Sequence, residues 1–133
     1  MKIKNLLLLL VVSFFVSTAV AQELRKGGSA FGKIESNGDV RINGSVKGKF
    51  ESNGDIRVGG SVKGKIESNG DIRVGGSVKG KVESNGDVRI NGSVVGKIES
   101  NGDVRKNGSV IGSAKGVKKE QAAVIFFFDF FQI

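Results

Sequence analysis

Between residues 32 and 50 the apolar side chains fall on even positions (Ile34, Val40, Ile42, Val46, Phe50) and the charged ones on odd positions (Lys33, Glu35, Asp39, Arg41, Lys47, Lys49). A period of two is the signature of extended strands with one apolar face, since successive side chains of a strand point to opposite sides. The pattern returns every 16 residues. The motif Gly-Lys-apolar-Glu-Ser-Asn-Gly-Asp-apolar-Arg-apolar-(Asn/Gly)-Gly-Ser-Val-x starts at Gly32, Gly48, Gly64, Gly80 and Gly96, giving five tandem copies through Ile111. Because the period is even, the parity persists from one copy to the next. Each unit is expected to hold a short strand over 39–42 and a longer one over 45–52.

The turns follow from keeping the apolar face intact. A two-residue hairpin at Asn37-Gly38 would set Ile34 opposite Arg41, and a one-residue slip of this kind turns every side chain to the wrong face. A three-residue loop Ser36-Asn37-Gly38, with Gly38 left-handed, sets Ile34 opposite Val40 instead. The same argument predicts an odd number of residues in the turn around Asn43-Gly44, with Val46 on the core side.

Half-copies flank the five units. Gly28-Ser29-Ala30-Phe31 resembles the end of a unit, and Gly112-Ser113-Ala114-Lys115 resembles a start. An array that begins and ends in the same phase fits either a ring closed on itself or a stack of coils. The expected fold is therefore all-β, with five tandem 16-residue hairpin-like repeats arranged radially about a pseudo-fivefold axis. The alternative is a β-solenoid with one coil per repeat. Solenoids need polar terminal caps, and the near-identity of the five units favours the ring, although Lys106 on the last apolar face would suit a cap.

The regions outside the repeats have their own character. Lys2 and Lys4, an apolar run from Leu6 to Val16, and Ala19-Val20-Ala21 read as a secretory signal peptide over 1–21. The run is shorter than the roughly 20 residues needed to span a bilayer, so cleavage rather than anchoring is expected, with no transmembrane span in the mature chain. A short leader at 22–27 then precedes the repeat domain at 28–116, and an aromatic tail occupies 117–133. In the tail, Ala122 to Phe131 is apolar at both parities apart from Asp129, which suggests a strand or segment buried on both sides. This tail is read as core or as a closing strand, with an exposed aromatic docking peptide as the other reading.

Charge and composition narrow the chemistry. Removing Lys2 and Lys4 lowers the formal charge from +8 to +6. The cations alternate with acids and there is no Trp or Tyr, so the stacking platform of a nucleic-acid binder is missing. With neither His nor Cys, the Ser/His and Cys/His catalytic arrangements and the usual zinc and copper ligands are excluded. The repetition of Glu35 and Asp39 in every unit also argues against an acid/base pair, because an active site is normally one asymmetric constellation. No cofactor is expected. Calcium is the one metal the Glu35, Asn37, Asp39 spacing invites, yet the spacing is that of no standard calcium loop, and one turn offers too few oxygens. Asn and Asp at a left-handed turn account for the same residues.

Arg41, Arg57, Arg73, Arg89 and Arg105 share one phase of the repeat and are the candidate anion-binding residues, toward a carboxylated glycan or another envelope component. The competing reading pairs each with a glutamate of its own or the next unit. Asn43, Asn91 and Asn107 stand in Asn-Gly-Ser triplets that match a glycosylation acceptor, though turn chemistry explains them equally.

The five units, quoted as Gly-Lys-Ile-Glu-Ser-Asn-Gly-Asp-Val-Arg-Ile-Asn-Gly-Ser-Val-Lys over 32–47, together with the aromatic run at 122–131, resemble the 5-fold beta-flower proteins. That resemblance implies an exported radial hairpin fold and carries no catalytic residue. The stretch from Ile34 to Phe50 also looks like the bactofilins, cytoskeletal β-solenoids; the signal peptide and strict 16-residue period depart from them. Together these readings predict an exported, non-enzymatic structural or ligand-binding protein of the periplasm, cell surface or extracellular space. The alternative is a polymer-forming bactofilin-like scaffold.

Overall fold

A computed structural model describes residues 22–133; the signal-peptide reading of 1–21 lies outside them. Among the described residues are twelve strands and one helix. The long strands are β2 (Ser29–Ile34), β4 (Ser45–Phe50), β6 (Ser61–Ile66), β8 (Ser77–Val82), β10 (Ser93–Ile98) and β12 (Ser109–Ala114). The short ones are β1 (Gln22–Lys26), β3 (Asp39–Ile42), β5 (Asp55–Val58), β7 (Asp71–Val74), β9 (Asp87–Ile90) and β11 (Asp103–Lys106). Each strand pairs antiparallel with its neighbours in sequence, and β1 pairs with β12 to close a barrel.

The repeated hairpins stand radially about one axis, the arrangement that the near-identity of the units favoured, and the antiparallel ladder does not form the coils of a solenoid. Five units do not close the ring alone. The flanking half-copies build a sixth position, in which β1 lies against β12 with Leu24 opposite Ala114.

The Glu-Ser-Asn-Gly turn is the expected three-residue loop. The Gly38 φ is 97°, Glu35 N donates to Asp39 O at 2.8 Å, and Ile34 faces Val40. The other turn corrects the expectation. Ile42 pairs directly with Ser45, leaving a two-residue loop with Asn43 at φ 52° and Gly44 at φ 85°. Positive φ at both central residues defines the type I′ hairpin, which Asn-Gly and Gly-Gly favour. Parity is restored inside the strand instead. The register shifts so that Val40 faces Gly48 while Arg41 faces Val46, leaving Lys47 as the bulged residue. Val46 and its counterparts Val62, Val78, Val94 and Val110 therefore point outward and are 47–50% exposed, not in the core. The glycine of each unit takes the inward place.

A twelve-strand barrel is wider than one that its own side chains can fill. Here the space is taken by α1 (Lys119–Phe127); of the two forms expected of the tail, core or closing strand, it packs as core and is helical. Every sheet edge is already paired, so a segment inside the barrel must satisfy its own N–H and C=O groups, and only a helix does so. A helix apolar on all sides belongs in an interior, and Ala122, Ala123, Val124 and Ile125 are buried. Phe128 caps α1, and Asp129 at φ 57° turns the chain; a short polar side chain tolerates that left-handed conformation.

The five tail phenylalanines then pack against the inward glycines of successive units. Phe126 lies over Gly112, Phe127 over Gly96, Phe128 over Gly80, Phe130 over Gly64 and Phe131 over Gly48. Phe50 meets Phe131 edge-on at 6.0 Å between ring centroids, a favoured aromatic geometry. The wall of the core comes from Leu24, Ile34, Val40, Ile42, Ile56, Ile72, Val88 and Val104.

Candidate functional site

The five candidate arginines lie on the outer face, because residues of odd phase point away from the axis. The Nε of Arg41, Arg57, Arg73, Arg89 and Arg105 donates to Glu35, Glu51, Glu67, Glu83 and Glu99 respectively, at 2.8 Å in the Arg89–Glu83 pair. Nη1 of each donates to the glycine carbonyl of the next turn, for example Arg73 to Gly76 O at 2.8 Å. In the sixth position Arg25 repeats the arrangement with Glu23 Oε1 at 2.9 Å and Gly28 O at 2.8 Å. Each guanidinium thus ties the two ends of its own hairpin together. On a convex face the five diverge, and nothing brings them round one ligand. Such half-exposed ion pairs contribute about 0–1 kcal/mol each.

The Glu-Ser-Asn-Gly rim spends its oxygens locally. Asn37 Oδ1 accepts from Asp39 N at 3.0 Å, and Asn37 Nδ2 donates to Asp39 Oδ2 at 3.2 Å. Glu35 is held by Arg41. The same contacts recur in the other four units. Among the described residues no group of three or more acidic, histidine or cysteine side chains is placed to hold a metal. No polar or charged side chain there is buried, so no desolvated acid, base or nucleophile is present among them. Two open clefts of about 560 and 430 Å³ lie between this rim and the start of α1. Glu35, Glu51, Lys118 and Gln121 line the first; Asn85, Glu99 and Lys119 line the second.

Most of the uneven charge lies at the other rim. In each unit the Lys33- and Arg41-type cations are balanced by the Glu35- and Asp39-type acids. The surplus falls on Lys26, Lys47, Lys63, Lys79 and Lys106, beside the type I′ turns, and on Lys115, Lys118 and Lys119 near α1. The exposed valines circle the barrel beside the first group. The arginine phase was readable from the repeat, but this rim was not, because its geometry depends on the bulge at Lys47. The informative signal was the glycine at every Gly48-type position, an inward place that a valine could otherwise have filled.

The class so defined is a closed, antiparallel all-β repeat barrel around a helical plug, with a repeated outer surface. A family model described as "Bactofilin: Polymer-forming cytoskeletal" matches residues 23–85, a little under half of the chain. The match runs from β1 to the turn after β8, and the unmatched units at 86–111 carry the same motif. It returns the bactofilin resemblance; no comparison returns the beta-flower one. No curated protein and no solved structure matches the chain. No described helix is long and apolar enough to cross a membrane.

Proposed function

We propose that this chain is a non-enzymatic structural module that assembles with copies of itself, delivered across the membrane by the signal peptide at 1–21. The carrying observation is the match of residues 23–85 to a family described as polymer-forming. Two features of the barrel support the reading. Its outer face repeats one unit around an axis, which suits contacts made many times over. Its ring of five valines, 47–50% exposed, is apolar surface half open to solvent.

The outward charges also speak against a lipid-facing barrel. Lys33, Asp39 and Arg41 sit where a membrane barrel carries apolar side chains, and the strands of four to six residues are far shorter than the ~9–11 that span a bilayer.

Sedimentation velocity and negative-stain microscopy of the mature protein test the reading. Filaments or particles much larger than one chain, growing with concentration, are the expected result. A single monomeric species at every concentration would overturn it. Retention of that monomer on an anionic polysaccharide matrix would place the role on the lysine rim, as binding of an envelope glycan.

A further inference from the structure

A closed barrel has no free strand edge through which copies could join, since closure removes edges altogether. The β1–β12 seam is the exception in waiting. It is the one junction of the ring not spanned by a covalent turn: β1 continues into β2 through Gly27-Gly28, whereas β12 meets β1 only through the ladder. Its register is that of every Glu-Ser-Asn-Gly hairpin. Leu24, Arg25 and Lys26 face Ala114, Ser113 and Gly112, as Val40, Arg41 and Ile42 face Ile34, Lys33 and Gly32. The seam is thus a hairpin whose loop is missing. Its two edges are complementary and their register is set by a buried face.

Nothing in that pairing distinguishes the chain's own β12 from the β12 of another copy. The tether favours self-closure by an effective concentration, and the contacts of the tail add to it; copies joined through the seam regain the same ladder. We infer that the β1–β12 seam is the joint through which copies of this protein pair, the β12 edge of one taking the β1 edge of the next. The inference rests on the self-assembly reading and names its interface. The junction joins two different edges, so it is heterologous and propagates into larger rings or open polymers.

The tail latches this joint. Phe126 lies over Gly112 of β12 and packs edge-on against Phe31 of β2, with centroids 5.8 Å apart at 83°. It therefore bridges the two strands that flank β1.

The chain has no cysteine, which makes the test direct. Arg25 and Ser113 are opposed on the outer face, and directly opposed residues of antiparallel strands have Cα atoms ~4.5–5.5 Å apart, inside the ~4.4–6.8 Å that a disulfide bridges. Full-length Arg25→Cys and Ser113→Cys proteins are mixed, co-refolded across a range of concentrations and oxidised. The control replaces the second partner with Lys65→Cys, on the outer face of β6. The expected result is a covalent dimer from the 25/113 mixture, at least tenfold above the 25/65 control, increasing with concentration. Adding Phe126→Ala should increase it further. Equal cross-linking in both mixtures would overturn the inference.

The Arg25→Cys/Ser113→Cys double variant separates this inference from the reading beneath it. Oxidised within one chain, it should stay monomeric where the unaltered protein assembles, and it should recover assembly on reduction. Assembly by the locked form equal to that of the unaltered protein would retain the structural role and overturn the seam. Cross-chain disulfides at 25/113 without larger assemblies of the unaltered protein would do the reverse.

Discussion

Gly80→Ala should destabilise the protein by on the order of 3 kcal/mol, although it adds a single methyl group. The new Cβ would fall deep inside the van der Waals radius of the Arg89 carbonyl oxygen and 2.8 Å from Phe128 Cζ. Neither neighbour can yield: the carbonyl belongs to the β8–β9 wall, where Gly80 pairs with Ile90, and Phe128 is held between the wall and α1. Overpacking of a filled core typically costs ~1–3 kcal/mol, and a clash with backbone belongs at the top of that range. Val78→Ala, two residues away but 47% exposed, should change stability by no more than about 0.5 kcal/mol. Urea unfolding followed by circular dichroism compares the two. Equal midpoints would mean that the glycines do not seat the tail rings.

Val124→Asp should have a larger effect still. Val124 has no exposed surface and sits mid-helix inside a wall of Leu, Ile, Val and Phe, with no buried polar side chain among the described residues. An unpaired carboxylate there must either be desolvated or take up a proton, and each route is costly. A loss of about 4 kcal/mol or more is expected, a large part of the stability of a small domain. The fold should then loosen around an ejected plug. Thermal unfolding with a hydrophobic dye reports both effects, as a lower midpoint and as dye binding in the cold. A tail held outside as an exposed docking peptide would accept the aspartate with little change, so the same measurement decides between the two readings of 117–133.

Much of the wall was legible in the sequence, and the reasons are local. Even and odd positions separate inside from outside at Ile34, Val40 and Ile42, and the Ser36-Asn37-Gly38 loop follows from keeping Ile34 opposite Val40. The second turn was harder, because parity can be restored in a loop or in a strand, and alternation does not say which. The Asn43-Gly44 pair pointed to a two-residue type I′ turn. Accepting it moves the extra residue to Lys47, turns Val46 outward and brings Gly48 to the core side.

The tail was illegible for a different reason. A short run apolar at every position reads equally as a buried strand or a buried helix; the closed ladder, a tertiary feature, makes it a helix. One clue crossed that gap. The tail carries five phenylalanines, and five of the six inward glycines at this phase, Gly48 through Gly112, lie under its rings, a pairing of large with small that a filled interior requires. The sixth hairpin position depended on seeing that Leu24 to Gly28 repeats Val40 to Gly44 with different residues at most places. Among the candidate site residues, the arginine phase and its glutamate partners were readable, since both recur every 16 residues. The surplus lysines were visible only as an overall excess until the strands placed Lys26, Lys47, Lys63, Lys79 and Lys106 on one rim.

Ring closure about the helix is the claim on which the rest depends, and proton–proton contacts measured by solution NMR on the mature protein test it most directly. The account predicts cross-strand contacts between residues 24–26 and 112–114, together with contacts from the Phe127 and Phe128 rings to the α-protons of Gly96 and Gly80. Contacts between equivalent positions 16 residues apart along the chain, with none between 24–26 and 112–114, would describe a coil of parallel strands and contradict the barrel.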